Sequence, residues 1–177
     1  MKFEEKNIKN LYVINPTNFV DNRGLFRRHY CENIFIKKGI DFKIKQGNIS
    51  ENFKKNTLRG FHLHKTPSKE DKLLSCINGK AWNVTIDVRE KSSTYLQKFE
   101  FEISSKNRKS LFIPAGCANA FLTLEENTIL HYYMGDYFNS EKDCGFRFDD
   151  PFFKVSWPIE PTIISKKDLN LPYYKDI

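Results

Sequence analysis

With 177 residues, 40% of them hydrophobic, the chain carries enough apolar material for one core, and residues 1–177 read as a single domain. Its net charge of +7 is spread along the sequence among acids, which excludes the basic arm of a nucleic-acid binder and leaves a small phosphorylated molecule as the natural anionic partner. No run nears the roughly 20 apolar residues of a membrane span, the opening Met1-Lys2-Phe3-Glu4-Glu5-Lys6 is too charged for a signal peptide, and Cys31, Cys76, Cys117 and Cys144 are scattered without a C-x-x-C pair, so a cytoplasmic protein with free or buried thiols is expected.

Short β-rich runs bounded by turn residues follow one another at 11–14, 42–49, 57–64, 72–77, 81–88, 96–103, 110–113, 118–124 and 128–138. Helix signals are confined to 31–38, which Gly39 would end, and to a short turn that Ser165 would cap ahead of Lys166-Lys167-Asp168. Asn78-Gly79-Lys80 reads as a hairpin turn and 104–109 as a polar loop, a spacing that suits a sandwich or jelly roll. In Trp82-Asn83-Val84-Thr85-Ile86-Asp87-Val88 apolar and polar residues alternate, as do Phe99, Phe101 and Ile103 with Glu100 and Glu102; one sheet face is expected to be buried and the other wetter. No solenoid repeat or low-complexity tract interrupts this pattern.

The most informative stretch is Leu58-Arg59-Gly60-Phe61-His62-Leu63-His64-Lys65. On a strand, His62 and His64 would project from one face, with the fixed cation Arg59 just upstream. Such a pair suits either a divalent metal or proton transfer beside a bound anion. Many double-stranded β-helix proteins of the cupin class hold a metal with H-x-H, a nearby carboxylate and a final His in a P-x-G-x-x-H turn. Here Glu70 follows the histidines at long spacing, with Pro67 between, and Pro114-Ala115-Gly116-Cys117-Ala118-Asn119 ends in Asn, a poor ligand for a transition metal. A metal-free use of the same barrel is favoured.

A stronger likeness is carried by Asp21-Asn22-Arg23-Gly24, Leu58-Arg59-Gly60-Phe61-His62, Lys72-Leu73, Asp87-Val88-Arg89 with Ser93-Thr94-Tyr95, Ile113-Pro114-x-Gly116, Asp149-Asp150-Pro151, Trp157-Pro158 and Ile164-Ser165-x-Lys167-Asp168. In order and spacing these resemble the dTDP-4-dehydrorhamnose 3,5-epimerase family over nearly the whole chain. The resemblance implies an all-β cupin double-stranded β-helix, or jelly roll, with a few short peripheral helices, and a cytoplasmic homodimer whose N-terminal strands cross between subunits. It implies no metal and no cofactor, because the substrate's own C4 ketone acidifies C3 and C5.

The resemblance assigns the base to His62, oriented by Asp168, the opposite-face acid to Tyr132, and the cation near the C4 oxygen to Lys72. Arg23 and Arg59 match contacts to the nucleotide diphosphate, Gln46 and Asn48 a Q-x-N element on the nucleotide side, and Lys167 reaches the same region. Membership implies an epimerase that inverts C3, or C3 and C5, of a nucleotide-linked 4-keto-6-deoxy sugar for a surface polysaccharide or capsule.

Two departures matter. Asn119 stands where the family places a histidine beside the substrate, and Asn cannot titrate. Arg28, in Arg27-Arg28-His29, stands where members usually carry a Glu associated with the thymine end of the ligand. An Arg can fork onto guanine O6 and N7, so a GDP-linked sugar is the first candidate, with CDP and dTDP behind it. His64 in place of Gln and Phe138 in place of Tyr suggest a reshaped sugar pocket. The rivals are a nucleotide-sugar 3,4-ketoisomerase, which carries R-G-F-H-x-H-K but is typically shorter and lacks the Trp157-Pro158 and Ser165–Asp168 segments, and a sugar-nucleotide-binding cupin that has lost turnover.

Overall fold

The computed structural model describes residues 1–176. Its elements are β1 (Lys2–Glu5), β2 (Tyr12–Asn15), β3 (Asn18–Asp21), β4 (Gly24–Arg27), α1 (Glu32–Lys37), β5 (Gln46–Asn52), β6 (Thr57–His64), β7 (Lys72–Asn78), β8 (Lys80–Asp87), β9 (Lys98–Ser104), β10 (Ser110–Ile113), β11 (Cys117–Thr123), β12 (Thr128–Met134), β13 (Asp143–Gly145), β14 (Ile163–Ile164) and α2 (Lys166–Leu169). One sheet runs β1-β2-β10-β7-β12-β5 and the other β13-β6-β11-β8-β9, with β14 added parallel to β6, while β3 and β4 form a separate hairpin. This is the jelly roll that the sequence suggested, with its helices short and peripheral. The four cysteines are free thiols, and no helix among the described residues is long and apolar enough to cross a membrane.

Between the sheets lie Val13, Leu74, Cys76, Ala81, Ile103, Leu111, Ile113 and Leu130. The first sheet turns Tyr12, Ile14, Leu73 and Phe112 the other way, where Phe35 of α1 and Phe42 cover them. Phe35 and Phe42 are fully buried, each a contribution of about 2 kcal/mol. This packing moves a strand: the run at 42–49 becomes β5 from Gln46, because Phe42 enters the aromatic cluster and its carbonyl accepts from the Tyr30 hydroxyl at 2.7 Å. The run at 128–138 ends at Met134, since a Cβ on Gly135 would stand 2.6 Å from the Lys69 carbonyl oxygen. The runs 57–64 and 110–113 coincide with β6 and β10, and 31–38 holds α1 with Gly39 at φ +85° beyond it.

The second sheet reverses one expectation. Val84 and Ile86 face outward and pack with Trp82 under Phe146, Phe153 and Trp157 of the C-terminal segment. The alternating Asn83, Thr85 and Asp87 have no exposed surface at all. The polar face of β8 is therefore the interior of the barrel, not a wetted surface, because the C-terminal segment covers the apolar side.

Asp87 shows what keeps that polar face buried. Arg89 forks onto its two carboxylate oxygens at 2.7 and 2.8 Å, and the hydroxyls of Ser92 and Thr94 each donate at 2.6 Å. Burial alone would raise the Asp87 pKa, but these bonds outweigh it and bring the group to about 2. The unfolded carboxyl titrates near about 3.9, so the stability from this pair is complete above about pH 5 and drains away as pH falls toward 2. Asp87→Asn leaves Arg89 short of its counter-charge and is expected to cost about 3 kcal/mol at pH 7, about 10 °C in Tm. Melts of the variant between pH 7 and pH 2 should also show a shallower acid limb than the wild type; an unchanged Tm at pH 7 counts against this account.

Candidate active site

β6 and β11 set the floor of a cavity of about 540 Å³ between the two sheets. Asn119 stands opposite His62, yet two residues further along β11 Phe121 stands opposite Arg59, three residues back on β6. The extra residue in β6 is a β-bulge. Strict alternation would turn Arg59 away from His62; the bulge brings both to the cavity wall. Gly60 permits it: the residue sits at φ +111°, and a Cβ there would meet the Asn119 carbonyl oxygen at 2.5 Å.

The other wall comes from the chain's end. Pairing of Ile163 and Ile164 with Thr57 and Leu58 lays β14 beside β6 and delivers α2 to the cavity. Ser165 caps that helix, its hydroxyl oxygen accepting from the Asp168 amide at 3.0 Å, which leaves the Asp168 carboxylate free to turn inward. One Asp168 oxygen lies 2.8 Å from His62 Nε2, and the other accepts from the Gly60 amide at 3.2 Å. The Asp168 side chain is 4% exposed and that of His62 34%, so the carboxylate is sealed behind the ring while the ring meets the cavity. Burial by itself would raise the Asp168 pKa; the hydrogen bond and charge of His62, the Gly60 amide and Ser165 outweigh it and hold the carboxyl below its ordinary value. With Nε2 facing a carboxylate, the lone pair of the imidazole belongs on Nδ1.

From the facing sheet come Lys72, Leu74 and Tyr132. Burial raises the Tyr132 pKa, with Arg59 acting against it and Glu70 with it, so the phenol keeps its proton at neutral pH. The ammonium of Lys72 donates to the His62 carbonyl at 3.5 Å and pairs with Glu70 at the same distance. Asn119 accepts from the Thr85 hydroxyl at 3.1 Å, and Thr85 in turn accepts from Asn83, so the Asn119 amide nitrogen is the end left toward the cavity.

Of the residues singled out from sequence, Arg59, His62, Lys72, Asn119, Tyr132, Lys167 and Asp168 converge on this one cavity. Lys167 pairs there with Asp143, and Arg59 is braced by Asn52 at 2.9 Å. Asn48 pairs with Tyr132 and shares its face on the edge strand β5, just beyond the cavity wall. Gln46, two positions further along β5 and opposite Met134, accepts from the Phe138 amide. Arg23 and Arg28 belong to the β3–β4 hairpin and the segment after it; Arg23 pairs with Asp21 at 2.6 Å and Arg28 is exposed, both away from the cavity of the same copy. His64 meets Glu70 at 3.6 Å despite the long spacing, and among the described residues no group of three or more His, Cys, Asp or Glu could hold a metal ion. The Thr85–Asn83 support of Asn119 escaped the sequence reading, although the alternation in β8 was its visible trace.

Residues 5–176 match a family model described as dTDP-4-dehydrorhamnose 3,5-epimerase. A relative of that name from Sinorhizobium fredii is 34% identical over 173 residues, which span 97% of this chain and 89% of its own length. The solved structure of the enzyme of that name from Elizabethkingia anophelis is 34% identical with a TM-score of 0.94, covering 99% of this chain and 97% of that one. The corresponding structure from Bacillus anthracis, with TDP and PPi bound, is 31% identical with a TM-score of 0.94, covering 97% and 98%.

Proposed function

Because the chain belongs to the dTDP-4-dehydrorhamnose 3,5-epimerase family, isomerases acting on carbohydrates, we propose that it inverts C3, or C3 and C5, of a nucleotide-diphosphate-linked 4-keto-6-deoxy sugar. The observation that carries the reading is the 2.8 Å pairing of His62 with buried Asp168 in a cavity that Tyr132 and Lys72 face from the other sheet. His62 Nδ1 takes the proton from C3, the C–H electrons form the C3–C4 double bond, and the carbonyl oxygen becomes an enolate oxygen held by the Lys72 ammonium. Asp168 steadies the imidazolium so formed. Tyr132 returns a proton to the opposite face of C3, the C3–C4 electrons forming the new C–H bond as the C4 carbonyl re-forms and the centre is inverted; the phenolate is then reprotonated from solvent and the imidazolium gives its proton to solvent. The ketone itself is the electron sink, so the chemistry needs no cofactor.

The names of the relatives and the TDP in the Bacillus anthracis structure support dTDP as the nucleotide. A second reading, GDP, rests on Arg28, an exposed guanidinium able to fork onto a purine edge. Phe19, Val20 and Phe26 of the β3–β4 hairpin are more than half exposed, an apolar arm that favours a homodimer in which each hairpin, with Arg23 and Arg28, covers the cavity of the other copy. The protein would then act as a single-domain subunit supplying a deoxy sugar for a surface polysaccharide.

The test is NMR in heavy water with matched dTDP- and GDP-linked 4-keto-6-deoxyglucose. The expected result is deuterium at C3, or at C3 and C5, with inversion, and faster turnover of the dTDP compound. Faster turnover of the GDP compound establishes the second reading, a 3-keto product identifies a ketoisomerase, and no exchange with either overturns the proposal.

A further inference from the structure

Lys72 is a cation with little water: its side chain is 13% exposed. Among the described residues its one carboxylate neighbour within ion-pair distance is Glu70, 10% exposed, with Oε2 3.5 Å from the ammonium. The second oxygen of Glu70, Oε1, faces His64 Nε2 at 3.6 Å, and that imidazole is 3% exposed with Nδ1 buried and unpartnered. The Glu70 backbone is fixed as well, its amide donating to the Ser68 hydroxyl, which in turn donates to Asp136. A line of contacts, Lys72–Glu70–His64, therefore runs back from the cavity into the barrel, and neither of its last two members lines the space where a sugar would sit.

We propose that Glu70, held from behind by His64, is a positioning residue for Lys72: it fixes the direction of the ammonium and keeps its proton in place, so that the cation is present when the enolate oxygen forms. The inference rests on the epimerase reading above. A charged amine in a dry cavity loses its proton readily unless a carboxylate stands beside it. A carboxylate that could swing would drag the ammonium off the carbonyl oxygen, and the contact of its other oxygen with His64 prevents that. The other titratable and charged groups around the pair are His62, whose carbonyl takes the ammonium, Arg59 and Tyr132 in the same cavity, Asp143 and Cys144 on β13, and Asp71 and Cys117. Of these, Asp71 is already bonded to the Ala115 amide, and Asp143 to Lys167.

The decisive variant is Glu70→Gln, which keeps shape and removes charge, with Glu70→Asp as the conservative partner that restores charge at shorter reach. Both are assayed by deuterium incorporation into the 4-keto sugar between pH 6 and pH 10, with melting temperatures taken alongside. For Glu70→Gln the expected result is an alkaline limb moved down by about one pH unit, so that kcat falls increasingly below the wild type toward pH 10, by no more than about tenfold, with KM within about twofold and a much smaller deficit at pH 6. Glu70→Asp is expected to return the alkaline limb to its wild-type position even if kcat stays reduced. A Glu70→Gln profile superimposable on the wild type overturns the inference, as does a loss equal at every pH that Glu70→Asp does not relieve, since that is the mark of a merely structural role. Should Glu70→Gln fail to fold, an alkaline limb in Glu70→Asp that moves down as far as loss of the charge would take it overturns the inference too. A wild-type protein that exchanges no deuterium overturns the functional reading and this inference together; exchange in the wild type with an unchanged Glu70→Gln profile overturns this inference alone.

Discussion

Replacing His62 by alanine is expected to lower deuterium incorporation into the 4-keto sugar by at least about 10³-fold while nucleotide affinity stays within about twofold. The asymmetry follows from where the ring sits. Its Nε2 is committed to Asp168, the ring lines the cavity, and Arg59 and Lys167 line the same cavity with partners of their own. Loss of the imidazole therefore removes the proposed base and leaves the cations that would grip the diphosphate. The fold should be little affected, because the His62 side chain is partly exposed and the strand register around it is set by Gly60 and the ladder to β11. Single-turnover exchange in heavy water, paired with calorimetric titration of dTDP, separates the two effects. Exchange at the wild-type rate would assign the base elsewhere, and a parallel collapse of nucleotide affinity would make His62 a binding residue.

How much of this site was legible beforehand differs residue by residue. His62 and Asp168 could be paired only through family likeness: 106 positions separate them, and their meeting depends on β14 lying parallel to β6, which two residues, Ile163 and Ile164, are too short to announce. Ser165 carried a readable cap signal, and its hydroxyl satisfies the helix amide, so that the Asp168 carboxylate is left to turn toward His62. The bulge in β6 left no periodic trace, because a single extra residue looks like ordinary alternation until its partner strand is known; period-two reasoning would have sent Arg59 to the wrong face. In β8 the alternation itself was correct and only its direction was hidden, for it takes Phe146, Phe153 and Trp157, far along the chain, to make the apolar side the outside of the barrel wall. Glu70 seemed too distant from His64 to matter, and the turn through 65–71 erases that distance.

Tyr132→Phe is expected to separate two events that the wild type couples: deuterium should still enter C3, within about tenfold of the normal rate, while inversion falls by about 10²–10⁴-fold. His62 and Tyr132 reach the cavity from opposite sheets, so a planar enolate between them presents one face to each. Without the phenol, the imidazolium is the proton donor that remains. It exchanges its proton with solvent and returns a deuteron to the face it came from, giving labelled sugar of unchanged configuration. Burial suits Tyr132 to the role, since it holds the phenol protonated until the enolate needs it, and Arg59, which acts in the other direction, eases the phenolate left behind. NMR of the recovered sugar reads both quantities in one spectrum, label from the lost C3 proton signal and configuration from the ring couplings. Inversion at the wild-type rate would remove Tyr132 from the mechanism. Loss of label together with inversion would mean that the phenol is needed to seat the sugar rather than to return its proton, and the opposite-face donor would then have to be sought among the other groups that reach the cavity, of which Lys72 alone carries a transferable proton on that sheet.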